Sequence, residues 1–154
     1  MKYSLLIEWT HITSVGIPII DDQHRGIVSV INSLAFFIQQ NKGEFFLNTA
    51  FAMMEGYTRL HFYTEEELMK AANSPDFVSH QRQHANLICE SFFKANESLR
   101  LHDSNIYLNF LKDWWLFHIN KQDRVYTKAV RNYINSLPRG ELAGAKILVS
   151  KGKS

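Results

Sequence analysis

One cysteine, three prolines and no long apolar run are found in this chain of 154 residues. The single thiol, Cys89, rules out an internal disulfide and fits a reducing compartment. No apolar stretch approaches the roughly 18 residues of a membrane span. Met1 to Trp9 holds no apolar region long enough for a signal peptide. Nor does charge of one sign dominate: the formal net charge is +2 with histidine neutral, which is no footprint for nucleic acid or an anionic membrane. These absences lead to the expectation of a cytoplasmic globular protein with neither nucleic acid nor membrane as partner.

Against them stand 45% hydrophobic and 13% aromatic residues, enough for one sizeable core in one domain. The prolines Pro18, Pro75 and Pro138 each fall where a helical pattern should begin or stop. Met1 to Ile20 carries β-branched residues with Gly16 and Pro18, and reads as an extended arm. Four stripes of three-four periodicity follow. The first runs from His24 to Ile38 and the second from Leu47 to Ala72. The third runs from Phe77 to Leu99 and the fourth from Tyr107 to Ala129. Short polar breaks at Asn41-Lys42-Gly43, Asn73-Ser74-Pro75 and His102-Asp103-Ser104 separate them. The expectation is an all-α, antiparallel, up-down four-helix bundle over residues 1–137, with its arm over 1–20. Residues 138–154 form a short tail with an apolar patch, Ala145 to Val149, and a basic end.

Within those stripes lie imidazoles and carboxylates at telling spacings. His61 and Glu65 are four apart, as are His80 and His84, so each pair shares one helix face. His118 is followed by Asp123, and His24 ends the string Asp21-Asp22-Gln23-His24. In up-down topology, the starts of the first and third helices lie beside the later parts of the second and fourth. All seven groups therefore fall toward one end of one interior. One histidine on an apolar face is usually a hydrogen-bonded core residue. Buried carboxylates such as Glu65 and Asp123 need a cation or a good partner, and no Lys or Arg lies on the inner stripes. Imidazole with carboxylate suits a first-row transition metal, and seven groups suit two ions better than one. His118 and Asp123 are the imperfect pair: five residues turn about 140° along an α-helix. A carboxylate bridging two ions is expected to absorb that splay.

The chain resembles the hemerythrin family, in particular its single-domain bacterial members, over roughly Trp9 to Tyr126. The resemblance rests on Trp9, Ser14-Val15-Gly16, Asp21-Asp22-Gln23-His24, His61-Phe62-Tyr63-Thr64-Glu65-Glu66, Met69, His80-Gln81-Arg82-Gln83-His84, Trp114, His118-Ile119, Asp123 and Tyr126. It implies a non-haem centre of two iron ions with a bridging oxo or hydroxo group. His80, His84 and His118 would hold one iron. His24 and His61 would hold the other, leaving one position open for dioxygen, with Glu65 and Asp123 bridging. Glu66 and Glu67 would be solvated charges rather than ligands. Phe62, Trp114, Trp115, Phe117 and Ile119 are candidate walls of the oxygen pocket. Trp115 departs from the family pattern, where a leucine is usual, and bears on access to the open iron.

The function so implied is reversible dioxygen binding by a carrier, store or sensor that is not an enzyme. The alternatives are a di-iron oxidase or peroxide-reducing enzyme, and a redox-responsive module acting through a protein partner. Ferritin-like di-iron enzymes use Glu-x-x-His pairs, and none occurs within the four helical stripes. Neutral imidazoles also stabilise high-valent iron less well than anionic oxygens would, which favours binding over oxygen activation.

Overall fold

The computed structural model describes residues 5–138, and helix begins within them at Pro18. The extended arm is therefore shorter than the 1–20 read from sequence. Proline at the first helical position gives up an N–H that has no intrahelical partner there, and its fixed φ already suits a helix. The β-branched Ile19 and Ile20 thus belong to the first turn of α1 (Pro18–Gln39). The side chain of Asp21, in that turn, folds back to accept hydrogen bonds from Ser14 Oγ, Val15 N and Gly16 N. This clamp ties the end of the arm to the helix, with Gly16 at φ 75°.

Three further rods complete the bundle. α2 spans Gly43–Ala71 and α3 spans Phe77–Leu101. The fourth rod has three parts: α4 (Ser104–Trp114), a π-helical segment (Trp115–Gln122) and α5 (Asp123–Ser136). Each connection turns on one residue in the left-handed region: Asn41, Asn73 and His102. A short polar side chain tolerates that conformation best after glycine. The rods pack in the order expected of an antiparallel up-down bundle, α1 against α2, α2 against α3, α3 against α4, and α4 back on α1. Among the described residues there is no strand, and no helix long and apolar enough to cross a membrane. Apart from Pro138, the tail read from sequence lies outside the described residues.

Two apolar clusters fill the interior. The larger runs through Ile27, Ile31, Leu34, Leu47, Met54, Tyr107 and Leu111. The smaller, Val15, Ile17, Ile20, Met69, Tyr126 and Val130, closes the end where the arm enters. Gly26 allows α1 and α2 to approach closely: a Cβ there would lie 2.4 Å from Cε1 of Tyr57. His24 sits two residues before this contact, which fixes its depth relative to α2.

Candidate metal centre

Between the two apolar clusters lies a layer of polar side chains that water does not reach. His24 comes from α1, His61 and Glu65 from α2, His80 and His84 from α3, His118 from the π segment, and Asp123 opens α5. His24, His61, Glu65 and Asp123 are wholly buried, and His80, His84 and His118 nearly so. Their donor atoms form two clusters, each within 4.8 Å: Glu65 with His80, His84 and His118, and Glu65 with His24, His61 and Asp123. All seven residues singled out in the sequence therefore converge, and Glu65 belongs to both groups.

Asp123 is divided between the same two groups. Its Oδ1 lies 3.3 Å from His118 Nε2 and 3.5 Å from His80 Nε2. Its Oδ2 lies 3.2 Å from His24 Nε2 and 3.9 Å from His61 Nε2. Oε2 of Glu65 lies 3.2 Å from His84 Nε2, 3.3 Å from His80 Nε2 and 3.6 Å from His61 Nε2. The other Glu65 oxygen, Oε1, accepts a hydrogen bond from the Tyr126 hydroxyl.

The π segment explains how His118 and Asp123 reach one centre. Five residues apart, they would splay on an α-helix, and the sequence reading assigned the splay to a bridging carboxylate. The backbone itself removes it. A π turn bonds residues five apart instead of four, so such residues stack on nearly the same face. Short π bulges inside α-helices are frequent at functional sites.

Three imidazoles are held from behind. Nδ1 of His118 pairs with Gln122 Oε1 at 2.7 Å, Nδ1 of His84 with Glu66 Oε1 at 2.9 Å, and Nδ1 of His61 with Gln23 Oε1 at 3.4 Å. An acceptor at Nδ1 places the proton there and leaves the Nε2 lone pair facing the centre. Glu66 thus corrects the reading from sequence: it is partly buried against His84 and also accepts from Gln81 Nε2, rather than standing as a solvated charge. Gln23, Glu66, Gln122 and Tyr126 were missed as functional residues. Gln23 and Glu66 neighbour ligand-type residues in sequence, and Gln122 follows His118 by four, but nothing in the pattern marks these as supports.

Burial shapes the protonation states. Desolvation lowers the pKa of His24 to about 4, and those of His61 and His118 to about 3, so all three are neutral at neutral pH. Burial alone would raise Glu65, but the imidazoles around it, His61 first and then His80 and His84, hold it well below the usual carboxylate range. Asp123 goes the other way, raised by burial and by the charge of Glu65.

The donor set fits a metal. Nε2 of His24, His61, His84 and His118, and both oxygens of Asp123, are buried without a hydrogen-bond partner. An uncompensated polar atom in a dry interior costs about 1–3 kcal/mol, and here six point into one space. Neutral imidazoles and two carboxylates are what a first-row transition metal needs.

The surrounding aromatic residues divide between the two groups. Phe62 stacks on His84 with ring centroids 3.6 Å apart, and Trp114 meets Phe62 edge-on. Trp115 is buried beside His24, with centroids 6.1 Å apart, and Trp9 from the arm packs on both. Ile119 is fully buried. Phe117 is 60% exposed, and its ring lies under Lys121 Nζ. It therefore faces outward, away from the interior wall the sequence reading assigned to it.

No protein-family model matches the chain. It is 31% identical over 145 residues to a bacteriohemerythrin of Stenotrophomonas maltophilia, covering 90% of this chain and 91% of that one. A bacteriohemerythrin of Pseudomonas aeruginosa is 31% identical over 142 residues, covering 88% and 89%. One of Methylococcus capsulatus is 29% identical over 130 residues, covering 79% and 94%. Solved structures of hemerythrin variants superpose with a TM-score of 0.64 at 23% identity, covering 82% of this chain and 98% of theirs. With that breadth of similarity, and a polar layer able to hold metal, this chain belongs to the hemerythrin family.

Proposed function

We propose that the protein binds dioxygen reversibly at two iron ions held in the polar layer, as a cytoplasmic carrier or store rather than an enzyme. The observation that carries this reading is the buried convergence of five imidazoles and two carboxylates with inward donor atoms left unpaired. Bound there, an iron pair would supply the two electrons of reversible dioxygen binding. His80, His84 and His118 would hold one ion, and His24 and His61 the other. Glu65 and Asp123, each placed between the two groups, would span both.

The chain's own residues supply the remainder. Gln23, Glu66 and Gln122 fix the tautomers of His61, His84 and His118. Tyr126 holds Glu65 by one oxygen and so aims the other at the histidines. Trp115 and Trp9 exclude water from the side of His24. Since the group holding two histidines is the one with a position to spare, this indole wall governs which small molecules enter. The exposed thiol of Cys89 suits a reducing compartment.

Iron analysis with a visible spectrum, taken on reduced protein before and after admitting air, tests the proposal. Two irons per chain and a coloured adduct that bleaches under vacuum are expected. Sustained oxygen consumption with a co-substrate would overturn the carrier reading in favour of a di-iron oxidase or peroxide-reducing enzyme.

A further inference from the structure

The outward face of α2 is apolar over much of its length. Phe45, Thr49, Ala52, Met53, Gly56, Leu60 and Tyr63 recur at helical spacing and are all exposed, Phe45 by 84% and Tyr63 by 67%. A helix surface facing water is normally charged. The strip is about 27 Å long at about 1.5 Å per residue. Beside it, between α2 and α3, runs a groove of about 370 Å³ lined by Phe51, Ile88, Cys89, Phe92 and Phe93. α3 buries few of its residues, His80, His84, Ala95 and Ser98, and leaves Phe93 70% exposed. At the middle of the strip, nothing lies within 4 Å of where a Cβ on Gly56 would be, so another backbone can approach closely there.

We propose that this face binds a second copy of the chain, α2 lying antiparallel against the partner's α2 with a twofold axis passing near Gly56. The charges select this occupant. Glu55 and Arg59 flank the strip on the groove side and pair at 2.8 Å within one chain. In an isologous contact, each flank meets its own copy reversed. A twofold axis near residues 56–57 therefore brings each Arg59 opposite the other chain's Glu55, and the four charges close into a ring. To within one residue of register, the same axis sets Leu60 opposite Ala52 and Tyr63 opposite Thr49, large against small along that part of the strip. A face built for an unrelated partner has no need of this reversal symmetry.

Sedimentation of the purified, iron-loaded protein at high micromolar concentration tests the contact. A species of twice the 17.9 kDa chain mass is expected. Leu60→Asp is expected to return it to the monomer. Arg59→Glu should weaken association at least tenfold, and adding Glu55→Arg should restore it. Leu60 and Arg59 point away from the polar layer, so iron content and helical signal report that these variants are folded. In a Cys89→Ser background, Gly56→Cys should form a disulfide-linked dimer far faster than Asn132→Cys on exposed α5. A monomer at these concentrations would overturn the proposal, as would a dimer indifferent to Leu60→Asp, or equal cross-linking from both cysteine positions.

Discussion

At one end of the bundle Leu34, Leu47 and Leu111 fill the space between the helices, and further along the same rods His24, His61 and Asp123 do. Both sets are fully buried and lie on inward stripes. The apolar set is held by its own packing, which is non-directional and tolerant of exchange at constant volume. The polar set gains nothing from burial by itself. Its donors are desolvated, largely unpaired with one another, and oriented by partners outside the layer. The two ends therefore do different work: one gives stability without chemistry, and the other makes stability depend on what it holds.

Substitutions should separate these roles. The largest effect falls on Asp123→Asn, which removes a carboxylate placed between both histidine groups. Iron content should drop from two per chain to well under one. The metal-free form of this variant should be at least as stable as metal-free wild type. The folded pKa of Asp123 is raised by burial, so its contribution to stability is present at low pH and lost as it ionises. Denaturant titration of both metal-free proteins at neutral pH measures this, and a less stable variant would show that the layer is held by its own contacts.

Next comes Leu111→Ala, at the apolar end. It should cost about 2–5 kcal/mol of stability while leaving iron stoichiometry and spectrum unchanged. A smaller effect belongs to the supporting residues. Glu66→Ala and Gln122→Ala remove the acceptors behind His84 and His118, and each should weaken metal affinity by about 10–100-fold. Competition with a chelator reads that loss, and an unchanged affinity would remove both residues from the site.

The gentlest probe is pH. His24, His61 and His118 titrate at about 4, 3 and 3 in the folded metal-free chain, against 6.5 when unfolded. Below 6.5 the unfolded chain takes up protons that the folded one refuses. These three groups should therefore make the metal-free protein weaken steadily as pH falls from 6.5 toward 4. Leu111→Ala should shift that curve down without changing its shape, whereas His61→Leu should flatten it.

Much of this was legible in the sequence because two periodicities coincide. The three-four apolar stripes gave four rods, and the ligand-type residues lie on those stripes, so facing inward and converging on one end followed together. The five-residue interval from His118 to Asp123 was visible as an anomaly, but its cause was not, because spacing was read on an α-helix and the backbone is π-helical there. The start of α1 was missed because the β-branched residues around Pro18 resemble a strand, while the Asp21 clamp that settles the matter runs backward along the chain. Gln23, Glu66 and Gln122 were illegible for a simpler reason. A glutamine or glutamate beside a ligand has the same letter whether it faces water or an imidazole.

The π segment also sets how this protein can change its length. The fourth rod carries, between His118 and Asp123, one residue more than an unbroken α-helix needs for that step. Deleting Lys121 would let the backbone relax into ordinary α-helix, in which His118 and the aspartate, now four apart, still share a face, so α5 would keep its rotation about the axis. Tyr126 would stay on Glu65, and Val130 in the second cluster. A loss of one residue that would throw a plain α-helix out of register would here leave the metal layer and the end cap joined. The rod is thus more forgiving of a deletion inside its π segment than of one in α4 or α5.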